Sequence, residues 1–118
     1  MGVIRGAICA ENTQQDISEK TVELIAAIFA RNNLSADDVE AVIFSATSDL
    51  DACYPAAAVR ERYSMSNVAF MCLAEMSVEN SLDHCLRVSV FAPKISQNEC
   101  NHCYLGRARC LRRDLSDL

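Results

Sequence analysis

An arginine lies inside an apolar strand pattern, and that restricts the fold more than any other feature of the chain. Leu86 to Phe91 reads as a strand whose apolar run is interrupted by Arg87. A guanidinium among Leu86, Val88 and Val90 needs an anionic partner. Just upstream, Asn67 to Leu73 carries Val68, Phe70 and Cys72 on one face and Ala69, Met71 and Leu73 on the other. Apolar residues on both faces predict a strand covered on both sides. Glu75 stands just past its end, and a polar segment from Ser77 to His84 joins the two strands, with Asn80 suited to a left-handed turn. On the residues alone, Arg87 serves either a structural ion pair with Glu75 or a site for a small carboxylate.

The remaining segments supply the rest of an α/β domain. Val3 to Ala10 predicts a first strand, with Ile4 and Ile8 on one face, Arg5, Ala7 and Cys9 on the other, and Gly6 thinning it beside Arg5. Thr13 with Asp16 predicts a helix start, and apolar positions 17, 24, 25 and 28 with Thr21 predict one stripe through about Arg31. Asn32 and Asn33 end that helix, and Ser35 with Asp38 caps a further turn. Ala41 to Ala46 predicts a strand apolar on both faces, Thr47 to Tyr54 a polar loop, and Pro55 the first turn of a short helix to about Tyr63. After Pro93, Ser96 and Glu99 suggest a capped turn, and His102 to Leu111 a last strand. The expected fold is α/β (α+β), a mixed sheet of about five strands with one long and one short helix against one face. Two helices leave the other face of so apolar a sheet uncovered, so a homo-oligomer is expected. The domain is expected to span 1–111, with 112–118 a flexible tail.

At 118 residues the chain suffices for one domain without staples. No run approaches a membrane span, and the N-terminus enters a strand pattern almost at once, so neither a span nor a targeting segment is expected. A net charge of -5 with no basic stripe argues against nucleic acid and anionic membranes as partners. Seven cysteines, an odd number, read as free thiols in a reducing cytoplasm. Cys100 and Cys103 have metal-like spacing but no second ligand pair, and no metal site is expected. His84 reads as a solvated side chain and His102 as structural. No phosphate loop, zinc-protease or serine-hydrolase motif occurs. What remains is a set of arginines: Arg5 and Arg87 in strands, Arg60 on the short helix and Arg112 after the last strand.

Several segments, in order, resemble the AroH class of chorismate mutases over nearly the whole length. They are Ile4-Arg5-Gly6-Ala7, Ser45-Ala46-Thr47-Ser48-Asp49-Leu50 running into Tyr54-Pro55-Ala56, Ala58-Val59-Arg60-Glu61 and Met71-Cys72-Leu73-Ala74-Glu75-Met76. Cys85-Leu86-Arg87-Val88, His102-Cys103-Tyr104-Leu105 and Leu111-Arg112-Arg113-Asp114-Leu115 complete the series. The resemblance implies a pseudo-α/β-barrel homotrimer with sites at subunit interfaces, acting in the shikimate pathway toward Phe and Tyr. It implies the unimolecular rearrangement of chorismate, a small dicarboxylate, to prephenate, which needs no nucleophile, metal or cofactor. Carried over by residue, Arg87 faces the ether oxygen and a carboxylate, and Glu75 accepts from the substrate hydroxyl with Cys72 as a weak neighbouring contact. Arg5 and Tyr104 bind the side-chain carboxylate, Tyr54 forms an aromatic wall, and Arg60 and Arg112, next to Leu111, line the mouth. Ala57, Asn80 and Arg113 depart from the family pattern, where Lys, Gly and Pro are expected. The alternatives are a Rid-like imine deaminase and a non-catalytic carboxylate-binding module.

Overall fold

The longest element begins where the sequence places a cap. In the computed structural model, which describes residues 1–115, the Thr13 hydroxyl accepts from the Asp16 N–H at 3.0 Å and opens helix α1, Gln14–Asn32. Ile17, Thr21, Leu24, Ile25 and Ile28 form its buried stripe, and Asn33 closes it in the left-handed conformation at φ 51°. Pro55 opens helix α2, Pro55–Tyr63, as its ring is tolerated at a first turn. The two helices meet through Phe29 and Tyr63, edge to face at 5.1 Å. The predicted caps at Ser35 with Asp38 and Ser96 with Glu99 both form, each closing one turn of 3-10 helix.

Five strands make one mixed sheet: β1 Gly2–Cys9, β2 Ala41–Ala46, β3 Ala69–Ala74, β4 Cys85–Ala92 and β5 Cys103–Tyr104, in the order β3-β2-β4-β1-β5. β4 is antiparallel to β1 and β2, while the β2–β3 and β1–β5 pairs are parallel. Ile4, Ile8, Val42, Phe44, Leu86, Val88 and Val90 face the helices and form the core with the α1 stripe, Ala56 and Val59. A β-carbon at Gly6 would stand 2.9 Å from the Cys103 carbonyl oxygen and 3.1 Å from the Leu24 and Ile28 side chains, so glycine is what lets α1 close on β1. No helix of the described residues is long and apolar enough to cross a membrane.

Three expectations are corrected. The strand beginning near Asn67 starts at Ala69 and is not buried on both sides: β3 is a sheet edge, and Met71 and Leu73 are 56% and 47% exposed on the face away from the helices. Burial likewise alternates along β2 and β4, with Ala41, Ile43 and Ser45, and Arg87, Ser89 and Phe91, only partly covered. Arg87 therefore lies on the half-open face rather than in a closed interior. The last strand is two residues long, not His102 to Leu111, because Gly106 adopts φ 57° and turns the chain into a 3-10 segment, Gly106–Cys110. That segment folds back over the open face, where Ala108 packs with Ala7, Cys85 and Tyr104. Asn80 takes the left-handed conformation at φ 65°. The part of the expected tail at 116–118 lies outside the described residues.

Candidate active site

Strand register places the chemistry. Arg87 on β4 pairs with Ser45 on β2 and with Ala7 on β1, Ser45 pairs with Leu73 on β3, and Ala7 pairs with Tyr104 on β5. Directly paired residues point to the same face, so Leu73, Ser45, Arg87, Ala7 and Tyr104 form one row across the sheet. The next row holds Met71, Ile43, Ser89 and Arg5. Both rows lie on the face without helices. There a cavity of about 330 Å³ is lined by Arg5, Ser45, Leu73, Arg87, Tyr104 and Arg112 among others, a size suited to a small metabolite.

Glu75 stands beside it. Its N–H donates to the Ala46 carbonyl at 2.9 Å, which carries the β2–β3 ladder one residue past the strand. One carboxylate oxygen accepts the Ser45 hydroxyl at 2.5 Å, and the other lies 2.9 Å from Arg87 Nε. The Arg87 Nε–H is not aimed at that oxygen, and the buried Nε makes no hydrogen bond. The contact is thus an ion pair without an aligned hydrogen bond, and the Arg87 side chain stays 41% exposed.

Arg5 is fixed from the far edge of β1. Its N–H donates to His102 Nδ1 at 2.9 Å, while the Gln97 side-chain amide pairs with both the N–H and the carbonyl of Val3. These side chains complete the edge that the short β5 leaves open. Burial, helped by Arg5 and Arg112, lowers the His102 pKa, so the ring is neutral and Nδ1 is the acceptor. Nε2 then carries the proton, and its 3.4 Å approach to Arg5 NH2 is a contact between donors. Asn101, the residue before, is held by Asn32: its N–H donates to Asn32 Oδ1 at 2.7 Å, tying the end of α1 to this edge.

Tyr104 is 6% exposed, and burial raises its pKa against the opposing pull of Arg5, Arg112 and Arg87. The phenol keeps its proton and is a hydrogen-bond donor. Arg112 lines the cavity while gripping Asp114 through two bonds of 3.1 and 2.9 Å. Leu111 packs beside Tyr104 in the small apolar cluster at this end of the sheet. The cavity therefore gathers Arg5, Arg87, Tyr104 and Arg112, with Glu75 and Leu111 adjoining.

Tyr54, Arg60 and Cys72 are not among the residues that line this cavity. Cys72 pairs with Phe44 in register and so points to the helix face, where the Arg60 guanidinium lies over the Phe70 ring at 5.8 Å. Tyr54, 74% exposed, lines a separate groove between α1 and α2. The expected site residues thus fall into two groups on opposite faces of the sheet. Ser45 has no role legible in the sequence, although it opens the segment Ser45-Ala46-Thr47-Ser48-Asp49-Leu50. The only signal for it was its pairing with Arg87, which needs the register.

Two other clusters hold potential ligands. Cys100 and Cys103 do not converge with His102: Cys103 is buried against Asn101 O, and the His102 ring serves Arg5. Asp49, Asp83 and His84 bring ligand atoms within 4.8 Å of one another. Their carboxylates already have partners in the chain: both Asp49 oxygens accept from the His84 N–H, at 3.2 and 3.0 Å, and Asp83 pairs with the Arg107 guanidinium at 3.2 Å. His84, expected to be solvated, sits at φ 48° with Nδ1 3.4 Å from both carboxylates. None of the seven cysteines forms a disulfide, and burial pushes the Cys85 pKa up to about 12, which keeps it a thiol.

Known proteins share this architecture along nearly its whole length. A family profile described as chorismate mutase type I matches residues 1–115. Chorismate mutase AroH of Bacillus subtilis is 38% identical over 115 residues, covering 96% of this chain and 91% of that protein. The Thermus thermophilus AroH protein is 36% identical, covering 95% and 93%. A solved chorismate mutase from Clostridium thermocellum superposes with a TM-score of 0.88 at 34% identity, covering 93% of this chain and 99% of its own. A family match over residues 1–115 and identities of 34–38% over nearly the full length of each relative leave one conclusion: the chain belongs to the type I chorismate mutases.

Proposed function

We propose that the chain converts chorismate to prephenate in the cavity above the β4–β1 rows, as an isomerase of aromatic amino acid biosynthesis in the cytoplasm. The observation that carries this is the convergence of three guanidinium groups and one protonated phenol, those of Arg5, Arg87, Arg112 and Tyr104, on one cavity of about 330 Å³. That set is built for a compact dianion, in a protein whose overall charge is -5.

The reaction breaks the ether C–O bond while a C–C bond forms across the ring, in one concerted step. It needs the substrate held in its folded conformer, with stabilisation for the negative charge growing on the ether oxygen. Arg87 is assigned to that oxygen and the nearby carboxylate, because it lines the cavity, meets Glu75 through Nε and keeps its side chain 41% exposed. Arg5 and Tyr104 take the side-chain carboxylate, Arg112 and Leu111 border the mouth, and Glu75 accepts from the ring hydroxyl. A carboxylate oxygen has two lone pairs, so the present bonds of Glu75 leave room for one more.

Tyr54, Arg60 and Cys72 belong to the same site when it forms between subunits. Met71 and Leu73 on β3, Met76 and Val78 just after it and Tyr54 at the start of α2 are all exposed large side chains. A homotrimer with its sites at the interfaces would cover this surface and bring the β3–α2 edge of one chain to the cavity of the next.

Purified protein mixed with chorismate tests the function. Loss of chorismate absorbance with formation of prephenate, saturable in substrate, is the expected result. Binding without turnover would instead favour a carboxylate-binding module, and the absence of both binding and turnover would equally sink the assignment.

A further inference from the structure

We propose that Ser45 is a positioning residue of this site: its hydroxyl fixes the Glu75 carboxylate so that Glu75 flanks Arg87 without occupying the guanidinium edge that meets the substrate. The inference rests on the reading of the cavity as the site of chorismate rearrangement.

Glu75 lies one residue beyond β3, an edge strand. A glutamate there has three rotatable bonds and loses substantial freedom when held in one geometry. Ser45 supplies the restraint. It sits in β2, hydrogen-bonded to strands on both sides, directly between Leu73 and Arg87 in register. From that rigid position its hydroxyl donates to one Glu75 oxygen at 2.5 Å, which leaves the other oxygen 2.9 Å from Arg87 Nε. The main-chain bond from Glu75 N–H to Ala46 O, at 2.9 Å, fixes the backbone end of the same side chain.

The alternative geometry explains why the restraint matters. Carboxylate and guanidinium prefer a two-pronged pairing with parallel N–H···O bonds. A Glu75 free to rotate would reach that arrangement by taking terminal nitrogens of Arg87, the groups that must meet negative charge in the substrate. Held by Ser45, it meets Arg87 at Nε without an aligned bond. Ser45 also lines the cavity, but its hydroxyl is committed to Glu75, so its influence runs through that carboxylate.

The test compares kcat and KM for chorismate in the wild-type chain, Ser45→Ala, Ser45→Thr, Glu75→Gln and the Ser45→Ala/Glu75→Gln double variant, with thermal melts for each. Ser45→Ala should lower kcat by about tenfold with KM changed by less than about threefold, the loss of one hydrogen bond to a charged group felt in the transition state. Ser45→Thr keeps the hydroxyl and should restore most of kcat. In the Glu75→Gln background Ser45→Ala should cost less than about twofold, since the two residues act as a unit. A merely structural serine would lower the melting temperature and add its full penalty in both backgrounds. That additivity, or an unchanged kcat in Ser45→Ala beside an active wild type, overturns the inference and leaves the assigned reaction standing. A wild-type chain that does not turn over chorismate overturns both.

Discussion

Arg87 Nε lies 2.9 Å from Glu75 Oε1, yet the N–H between them is not aligned with the carboxylate, and among the described residues this Nε is a buried polar atom without a hydrogen bond. Ion pairs this open to solvent, with side chains 41% and 21% exposed, add little to folding. Removing Arg87 should therefore leave the melting temperature nearly unchanged. Its catalytic cost should be large: Arg87→Ala should lose at least ~3–4 kcal/mol of transition-state stabilisation, mainly in kcat, as when a preorganised oxyanion donor is deleted. Arg87→Lys should fail nearly as badly, because a point charge cannot present a planar fork. A near-normal kcat in Arg87→Ala would remove this residue from the chemistry.

His102 makes stability depend on pH with a definite sign. Burial and the neighbouring cations lower its pKa from the usual 6.5, and Nδ1 must be unprotonated to accept the Arg5 N–H. The unfolded chain takes up the proton first as pH falls. The contribution of His102 is therefore complete above 6.5 and lost as pH drops through the lower folded value. Denaturation midpoints of the wild type and His102→Gln, compared from about pH 8 to about pH 5, should show a gap that narrows toward the acid side. One neutral hydrogen bond sets its size at about 1 kcal/mol. A gap that widens with acid would contradict the assigned tautomer.

Asp49 anchors the chain reversal before β4. Its carboxylate accepts from the Thr47 hydroxyl and from the His84 N–H, and the Thr47 hydroxyl oxygen accepts the Cys85 N–H at 3.0 Å. These bonds pin His84 at φ 48°, a conformation that costs a non-glycine residue about 1–2 kcal/mol. Asp49→Ala should destabilise the fold by about 1–2 kcal/mol in urea titration, discounted for the partial exposure of the carboxylate. Equal stability would mean that the backbone of β4 holds the turn unaided.

The sequence was readable wherever a rule is local. Thr13, Asn33, Pro55, Asn80 and the caps at Ser35 and Ser96 behave as their side chains dictate within a few residues. Strand faces were readable too, since alternation puts Arg5 with Ala7 and Phe70 with Cys72 whatever the neighbours. Depth was not. Asn67 to Leu73 reads as doubly buried because an apolar face has the same composition whether a helix, a partner chain or nothing covers it, and the fold leaves β3 at the edge. The last strand was overextended because Gly106 can continue a strand or break it, and only its positive φ decides. The site shows the same division. Arg87 stood out as a charge in an apolar run, whereas Ser45 is ordinary in a strand until register sets it opposite Arg87.

The exposed face of β3 should carry the assembly. Met71 is 56% exposed on the face that also bears the cavity rows, so a charge there would be desolvated by any partner chain. Met71→Glu should shift the protein in size-exclusion chromatography toward a single 13.0 kDa chain. It should lose activity in the same step, without local change at Arg5, Arg87 or Tyr104. A variant that dissociates yet keeps full kcat would mean that one chain holds a complete site.

Mixing inactive variants tests the division of the site most directly. Arg87 and Arg60 lie on opposite faces of the sheet in one chain, Arg87 on the cavity and Arg60 over Phe70 on the helix side. If each interface takes Arg87 from one subunit and Arg60 from the next, a pool of Arg87→Ala and Arg60→Ala chains can rebuild intact sites. Unfolding and refolding the two together in equal amounts should give about a quarter of the interfaces both arginines, by random draw in a cyclic assembly. Activity should then rise to about a quarter of the wild-type value, well above either variant alone. Refolding each variant separately before mixing should give no such gain. If the co-refolded pool stays as inactive as its parts, each site draws both arginines from one chain, and the separation seen across the sheet would have to be closed by a rearrangement within it.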